Sequence, residues 1–165
     1  MPSFGRKSLE VRATINPWLA LLCDGVVKFF DITLIQGIRS KEEQNELYGL
    51  GLSQLQWPDS NHNADETAAF PDNLSMAVDV SPFPIPEGWG DLKSKMILAR
   101  DLQWKERVKF YQMMAVFKFE FAMMKDQYEE LKNYELRFGA DWDGDNDFRD
   151  QTFDDLPHIE LIKIS

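Results

Sequence analysis

The segment 74–80, Leu-Ser-Met-Ala-Val-Asp-Val, is the stretch of sequence from which the fold is most readily inferred. Its alternating character is typical of a strand, and Pro82, Pro84 and Pro86 follow directly and stop it. The strand contains one ionisable residue, Asp79, and burying a carboxylate is costly unless it is paired or binds a metal ion. The segment therefore predicts a strand that carries a buried acidic group.

Two further strands are predicted in distant parts of the chain. Residues 31–36 (Asp-Ile-Thr-Leu-Ile-Gln) are rich in β-branched side chains, and residues 158–164 (His-Ile-Glu-Leu-Ile-Lys-Ile) alternate again. Helical segments lie between these strands without a regular strand–helix–strand rhythm. The sequence therefore predicts an α+β protein with a small antiparallel sheet flanked by helices.

Apolar residues that recur at intervals of three and four predict the helices. The predicted helices cover 17–30, the segment from the capping residue Ser40 to Tyr48, and 92–134, which is closed near Gly139. Ser40 and Glu43 have the spacing of a capping box. The Met and Phe residues of the last helix are interpreted as core packing against the sheet. Between the second helix and the strand at 74–80, the polar segment 57–73 predicts a long surface loop.

Composition limits the classes of function. The 165 residues include 28 acidic and 18 basic side chains, giving a formal net charge of −10, and 44% are hydrophobic. This length and composition fit a single folded domain over residues 1–165, which we expect to be a monomer. The acidic excess argues against binding to nucleic acid or anionic lipid. Because Cys23 is the only cysteine, an internal disulfide and a cysteine-built zinc cluster are excluded.

No segment resembles a targeting signal or a membrane span. Residues 1–10 lack the apolar stretch of a secretory signal, and the most apolar run, 17–23, is too short to cross a bilayer. The protein is therefore expected to be made in a cytoplasm and not to insert into membranes.

The chain has only two histidines, and both lie beside predicted strands. His62 is in a polar loop, and His158 begins the last strand. A histidine considered alone is more often structural than a metal ligand, but together with Asp79 the two histidines form a three-ligand set that leaves a fourth position open, as in catalytic zinc sites. The same ligands also suit non-haem iron. Asp155 could take a proton from an attacking water, but its spacing alone favours an ordinary position in an acidic loop.

Three segments in sequence order resemble the motifs of a family. The first segment is 36–48, which contains Gly37-Ile38-Arg39-Ser40. The second combines 60–62 (Ser-Asn-His) with 75–82 (Ser-Met-Ala-Val-Asp-Val-Ser-Pro). The third combines 138–142 (Phe-Gly-Ala-Asp-Trp) with 155–161 (Asp-Leu-Pro-His-Ile-Glu-Leu). The family is that of the zinc-dependent peptidoglycan peptidases, which include D-alanyl-D-alanine carboxypeptidases and phage L-alanyl-D-glutamate endopeptidases. The resemblance implies the fold shared by hedgehog proteins and DD-peptidases.

The resemblance also implies roles for individual residues. It assigns His62, Asp79 and His158 as zinc ligands, Asp155 as the catalytic acid and base, and Arg39 as a residue that binds substrate and stabilises the oxyanion. A guanidinium suits that last role because it stays charged and presents several donors. The 17 residues from His62 to Asp79 form a longer step than is usual in the family, so the rim of the cleft is expected to differ.

The implied function is hydrolysis of an amide bond in the peptidoglycan stem peptide by a zinc metallopeptidase. A phage endolysin that cuts L-alanyl-D-glutamate fits best, accumulating in the host bacterial cytoplasm and acting on the wall after the membrane is breached. The alternatives are a D-alanyl-D-alanine carboxypeptidase and a non-catalytic, metal-stabilised wall-binding or virion protein. A non-haem iron oxygenase is a further alternative.

An acidic stretch after Gly139 suggests a second cation. Asp141, Asp143 and Asp145 alternate as in the first half of a calcium loop. However, Asn146 replaces the turn glycine, and Thr152 lies where a bidentate glutamate is expected. A calcium site and a solvated loop therefore remain alternatives.

Overall fold

The architecture follows from four strands and four helices that are defined in a computed structural model describing residues 2–64, 67, 70, 73–86 and 104–164. The helices are α1 (Arg6–Arg12), α2 (Pro17–Val26), α3 (Lys41–Gly49) and α4 (Trp104–Gln127), and a 3₁₀ helix covers Glu129–Asn133. The strands are β1 (Ile32–Gln36), β2 (Ala77–Pro82), β3 (Tyr134–Phe138) and β4 (His158–Lys163). The predicted α+β class is confirmed.

The four strands form one sheet in the order β1-β2-β4-β3, with every neighbouring pair antiparallel. Strand β2 lies inside the sheet and is buried along its whole length. Its register places Asp79 opposite His158 of β4, and Gln36 of β1 pairs with Asp79 from the other side. Because directly opposed residues project on the same face, the register brings an acid and an imidazole together.

The core is built between the sheet and two packed helices, α2 and α4. The buried positions of α4 are Phe110, Met113, Met114, Phe117, Phe121 and Met124. These residues recur at helical spacing, so one face of α4 covers the sheet, as core packing predicts. Cys23 of α2 is fully buried, and burial raises the pKa of its thiol.

Helices α2 and α3 each begin directly after a residue whose side chain caps the first turn. The Asn16 side chain accepts a hydrogen bond from the backbone N–H of Trp18 at the start of α2. At α3, the Ser40 hydroxyl accepts from the Glu43 N–H and the Glu43 carboxylate accepts from the Ser40 N–H. The predicted capping box is therefore present, and it fixes the chain direction directly after Arg39.

The predicted helix 92–134 is wrong at its C-terminal end. Helix α4 ends at Gln127, and the chain then forms the 3₁₀ helix and β3. The change occurs because residues 134–138 pair with β4, and such pairing outweighs local helical periodicity. Residues 92–103 of that helix lie outside the described residues. Helix 17–30 ends earlier than predicted, at Val26.

Helix α1 was not predicted, and it packs against β1. The loop predicted over 57–73 is described only at 57–64, 67, 70 and 73, where neither helix nor strand forms. Among the residues that the structure describes, no helix has the combined length and apolar character that crossing a membrane requires.

Candidate metal centre and active site

His62, Asp79 and His158, the three predicted metal ligands, converge on one point. The His62 Nε2 atom lies 3.2 Å from Asp79 Oδ1 and 3.1 Å from His158 Nδ1. His158 Nδ1 lies 3.4 Å from Asp79 Oδ1. All three side chains are buried, and they come from a loop, from β2 and from the first residue of β4. The fold therefore assembles a compact three-ligand group from distant parts of the chain.

Backbone hydrogen bonds hold the loop that carries His62 against the sheet. The Arg39 N–H donates to the His62 carbonyl over 2.9 Å, and the Met76 N–H donates to the Asn61 carbonyl over 2.9 Å. The His62 ring donates from Nδ1 to the Gly37 carbonyl over 2.6 Å. Since a carbonyl only accepts, Nδ1 carries the proton, and the lone pair of Nε2 points at Asp79 and His158.

His158 is oriented in the same way by a carboxylate. Its Nε2–H donates to Glu160 Oε2 over 3.0 Å, which leaves Nδ1 as a lone-pair donor to a metal. Two imidazole lone pairs and Asp79 Oδ1 thus face one another at 3.1–3.4 Å. In a tetrahedral zinc site with bonds of about 2.0–2.1 Å, the ligand atoms are about 3.3 Å apart. The donor set and its spacing therefore fit a zinc ion.

The charges around the ligands also favour a cation. Burial acts to raise the pKa of Asp79, but its interactions with His62, Arg39 and His158 together outweigh burial, and the pKa lies well below its usual range. Burial lowers the pKa of His62. It also acts to lower the pKa of His158, but hydrogen bonds with Asp79 and Glu160 raise that pKa to about 10. The surroundings therefore stabilise a positive charge between the three side chains, which a divalent ion supplies.

Arg39 contacts the metal ligands rather than standing apart in the cleft. Its Nη2 donates to Asp79 Oδ2 over 2.7 Å, its Nε donates to Gln36 Oε1 over 2.9 Å, and its Nη1 lies 3.5 Å from Gln44 Oε1. Asp79 thus offers one oxygen to the metal position and the other to Arg39. The structure therefore gives Arg39 a role in orienting Asp79, and the oxyanion role expected for it stays a prediction.

Glu160 is a site residue for which the sequence analysis assigned no role. It is buried, and it accepts hydrogen bonds from His158, from Asn61 Nδ2 over 2.8 Å and from Arg137 Nε over 2.5 Å. Burial acts to raise its pKa, but the hydrogen bonds with His158 and Asn61 and the charges of His158 and Arg137 together lower the pKa to about 2. Glu160 could have been identified from the sequence, because it lies two residues after His158 in a predicted strand and residues two apart in a strand share a face.

Asp155 lies on the wall of the cleft that leads to the ligands. The cleft has a volume of about 490 Å³ and is lined by Asp155, Arg39, His62 and His158 among others. Burial and the charge of Asp79 raise the pKa of Asp155 to about 6. A partly buried carboxyl with a raised pKa beside a cleft can exchange a proton with a bound molecule.

Gly139 allows the chain to place Asp155 close to His158. The Asp155 N–H donates to the Gly139 carbonyl, and the Gly139 N–H donates to the His158 carbonyl, each over 2.9 Å. A Cβ atom at Gly139 would lie 2.4 Å from the Asp155 carbonyl oxygen and 2.8 Å from His158 Cβ. A glycine is therefore required where β3 meets the segment that carries Asp155 and His158.

The acidic loop brings its three carboxylates together, as the calcium hypothesis requires. Oxygen atoms of Asp141, Asp143 and Asp145 lie within 4.8 Å of one another, with Asp141 buried and the other two exposed. Lys118 Nζ lies 3.5 Å from Asp141 Oδ2, and the Asn146 N–H donates to Asp141 Oδ1 over 3.2 Å. Asn146 has a φ of 69°, so it adopts the left-handed conformation expected of the turn glycine. Calcium binding stays a prediction.

Comparisons with known proteins agree with this geometry. The family model of the phage L-alanyl-D-glutamate peptidases matches residues 2–162. The L-alanyl-D-glutamate peptidase of Escherichia phage T5 is 25% identical over 166 residues, covering 96% of this chain and 97% of that protein. The crystal structure of the Serratia marcescens L-Ala D-Glu endopeptidase ChiX shares the fold, with a TM-score of 0.60 and 19% identity over 96% of this chain and 89% of that one. The chain therefore belongs to the phage L-alanyl-D-glutamate peptidase family.

Proposed function

We propose that this protein is a zinc-dependent endopeptidase that hydrolyses the amide bond between L-alanine and D-glutamate in the peptidoglycan stem peptide. The observation that carries the proposal is the convergence of His62, Asp79 and His158 at 3.1–3.4 Å, in a chain whose family model spans residues 2–162. We propose that residues 1–165 act as one catalytic domain and as a monomer.

The ligand group would hold the metal, and the neighbouring side chains would move the protons. Held by His62, Asp79 and His158, a divalent ion would supply Lewis acidity toward the scissile carbonyl and the attacking water. Asp155 accepts the proton of that water as the oxygen bonds to the carbonyl carbon. Asp155 then delivers the proton to the nitrogen of the departing D-glutamyl residue as the C–N bond breaks. Its pKa of about 6 suits a group that must both accept and return a proton.

Arg39 would serve the same reaction from the Asp79 side. A guanidinium has five N–H groups, and Gln36, Gln44 and Asp79 occupy three of them. Because Arg39 also lines the cleft, its remaining donors can support the negative charge that develops on the carbonyl oxygen. Arg39 would therefore combine two tasks, orienting a metal ligand and stabilising the oxyanion.

Elemental analysis of the purified protein beside a wall-digestion assay tests the proposal. We expect one zinc ion per chain, release of peptides that begin with D-glutamate, and loss of digestion when a chelator removes the metal. Mass spectrometry of the products distinguishes the alternatives. Loss of a single terminal alanine would identify a carboxypeptidase, and wall binding without new amino groups would identify a non-catalytic protein. Iron in place of zinc would contradict the metal assignment.

The calcium hypothesis and the route to the wall belong to the proposal as well. Asp141, Asp143 and Asp145 would hold calcium through carboxylate oxygens. Calorimetry with calcium on chelator-treated protein tests this, and no heat at millimolar calcium would contradict it.

We further propose that the protein acts from the host cytoplasm after membrane breach. Cells that express it should therefore lyse only when the membrane is permeabilised.

A further inference from the structure

The cleft contains a second arginine that the catalytic steps above do not use. Arg137 lies on β3 directly opposite Glu160 of β4, and it lines the cleft beside Trp142. Its Nε donates to Glu160 Oε1 over 2.5 Å, and its Nη2 contacts the same oxygen. Its side chain is 38% exposed, whereas that of Arg39 is 11% exposed. Arg137 is thus the more accessible of the two cations.

Only one edge of the Arg137 guanidinium is occupied by Glu160. Both contacts use the Nε and Nη2 side of the group, so the Nη1 side is oriented away from that carboxylate. The guanidinium also lies 5.4 Å from the centre of the Trp142 ring, a cation–π contact that holds its plane. The arrangement presents a fixed, charged donor edge, which is suited to a carboxylate ligand.

Two contacts fix Arg137 close to the metal ligands. Glu160 joins His158 to Arg137 through its two oxygens, over 3.0 Å and 2.5 Å. Trp142 joins the same pair from another side, since its ring centre lies 5.2 Å from that of His158. Arg137 is therefore held one side chain beyond a metal ligand. In an extended peptide bound at the metal, the next residue is displaced by about 3.8 Å.

We propose that Arg137 determines specificity by binding the free carboxylate of the D-glutamyl residue that follows the scissile bond. This inference rests on the proposed function. A glutamyl residue has two carboxyl groups, and one of them remains free when the other joins the next residue of the stem. That free carboxylate lies directly beyond the scissile amide, and Arg137 lines the cleft that would receive it.

Arg39 does not fit this role, although it lies in the same cleft. Its three polar partners are Gln36, Gln44 and Asp79, and its side chain is mostly buried. The other ionisable groups described along the cleft, apart from the histidines, are the carboxylates Asp59, Asp155 and Glu160, which would repel a substrate anion. Selection for an anionic substrate in this cleft is therefore best explained by Arg137.

Two synthetic stem peptides test the inference. One has the free D-glutamyl carboxylate, and the other has a neutral carboxamide in its place. We expect the unmodified protein to cleave the first with a kcat/KM about tenfold to a hundredfold higher, the range expected for a hydrogen bond to a charged group. Arg137→Gln should bring the two values within about threefold, mainly by raising KM for the carboxylate peptide.

Arg137→Lys separates charge from shape. A lysine keeps a positive charge near Glu160 but lacks the planar guanidinium, which can donate to Glu160 and to a substrate carboxylate at the same time. The preference for the carboxylate peptide should therefore fall only in part. Arg6→Gln on α1 is the matched control, because Arg6 is 89% exposed and lies outside the cleft. It should leave the preference unchanged. Zinc content is measured for every variant, since Glu160 also contacts His158.

The outcomes separate this inference from the proposed function. Equal cleavage of both peptides by the unmodified protein would overturn the role of Arg137 and leave the endopeptidase assignment intact. An equal loss on both peptides in Arg137→Gln would also overturn it. Should Arg137→Gln fail to fold or to bind zinc, an unchanged preference in Arg137→Lys would overturn it instead. Cleavage of neither peptide by zinc-loaded protein would contradict the proposed function itself.

Discussion

In the proposed mechanism, Asp155 is the residue on which the chemistry depends most directly. It lies in the cleft three positions before His158, with a pKa raised by burial and by Asp79. Replacing Asp155 with Asn preserves its shape and removes its capacity to accept a proton. We expect activity to fall by about 10²–10⁴-fold while zinc content stays unchanged, measured by peptide cleavage and elemental analysis. Undiminished cleavage would show that another group takes the proton.

The same residue sets an expected pH dependence. Asp155 must be ionised to act as a base, and its pKa of about 6 means that protonation competes in mild acid. A bound cation nearby can only lower this pKa, so the acid limb of kcat/KM should lie at or below about pH 6. Below the limb, kcat/KM should fall about tenfold per pH unit. A limb well above pH 6 would contradict the assignment.

Glu160 contacts His158 and so lies one side chain further from the proposed metal position. Glu160→Gln keeps the side-chain size but removes the negative charge that orients His158. Zinc affinity should fall by about 10–100-fold, measured by competition with a coloured chelator. Glu135→Gln is the control, since Glu135 is an exposed residue of β3. Unchanged affinity in Glu160→Gln would mean that the backbone alone positions His158.

At the scale of elements, the junction between β3 and the segment before β4 is the most constrained part of the site. A methyl group at Gly139 would overlap Asp155 and His158. Gly139→Ala should therefore destabilise the fold by about 1–3 kcal/mol and weaken both zinc binding and activity. Thermal unfolding and metal titration measure this. Gly49→Ala is the control, because a Cβ there meets no atom within 4 Å. Equal stability of the two variants would contradict the crowding.

The elements also show what the sequence could predict and why the rest was missed. Local signals located β1, β2, β4 and the capping box of α3, because alternation and capping depend on neighbouring residues. Strand β3 was missed because it follows a helix with strong periodicity and is defined by pairing with residues 158–163. Pairing of this kind depends on residues distant in sequence, which a local pattern does not reveal.

The site divides in the same way. The order of the motifs along the chain was sufficient to predict His62, Asp79, His158 and Asp155 as site residues. The contacts of Arg39 with Asp79 and of Glu160 with Arg137 depend on strand register and on side-chain direction. Neither the strand register nor the side-chain direction can be deduced from the spacing of residues along the chain. The group of His62, Asp79 and His158 was therefore predictable, whereas the side chains that contact it required the structure.

At the scale of the whole molecule, the metal would join three separate parts of the chain. One ligand comes from a loop and two come from the sheet, so an ion bound only by the folded form adds to stability. With free zinc at about a hundred to a thousand times its dissociation constant, the gain is about 2.7–4.1 kcal/mol. Thermal unfolding with and without a chelator should show the corresponding fall in Tm. His62→Ala should already have the lower Tm without chelator, and a chelator effect that persists in this variant would contradict the assignment.

The pairing of Asp79 with His158 has a consequence for assembly of the sheet. A slip of one residue between β2 and β4 would turn one of these side chains to the opposite face and leave the ion with too few ligands. Only the correctly aligned sheet could therefore hold the proposed metal ion. Such an ion would favour the native strand alignment over shifted ones during folding, in addition to its proposed role in hydrolysis.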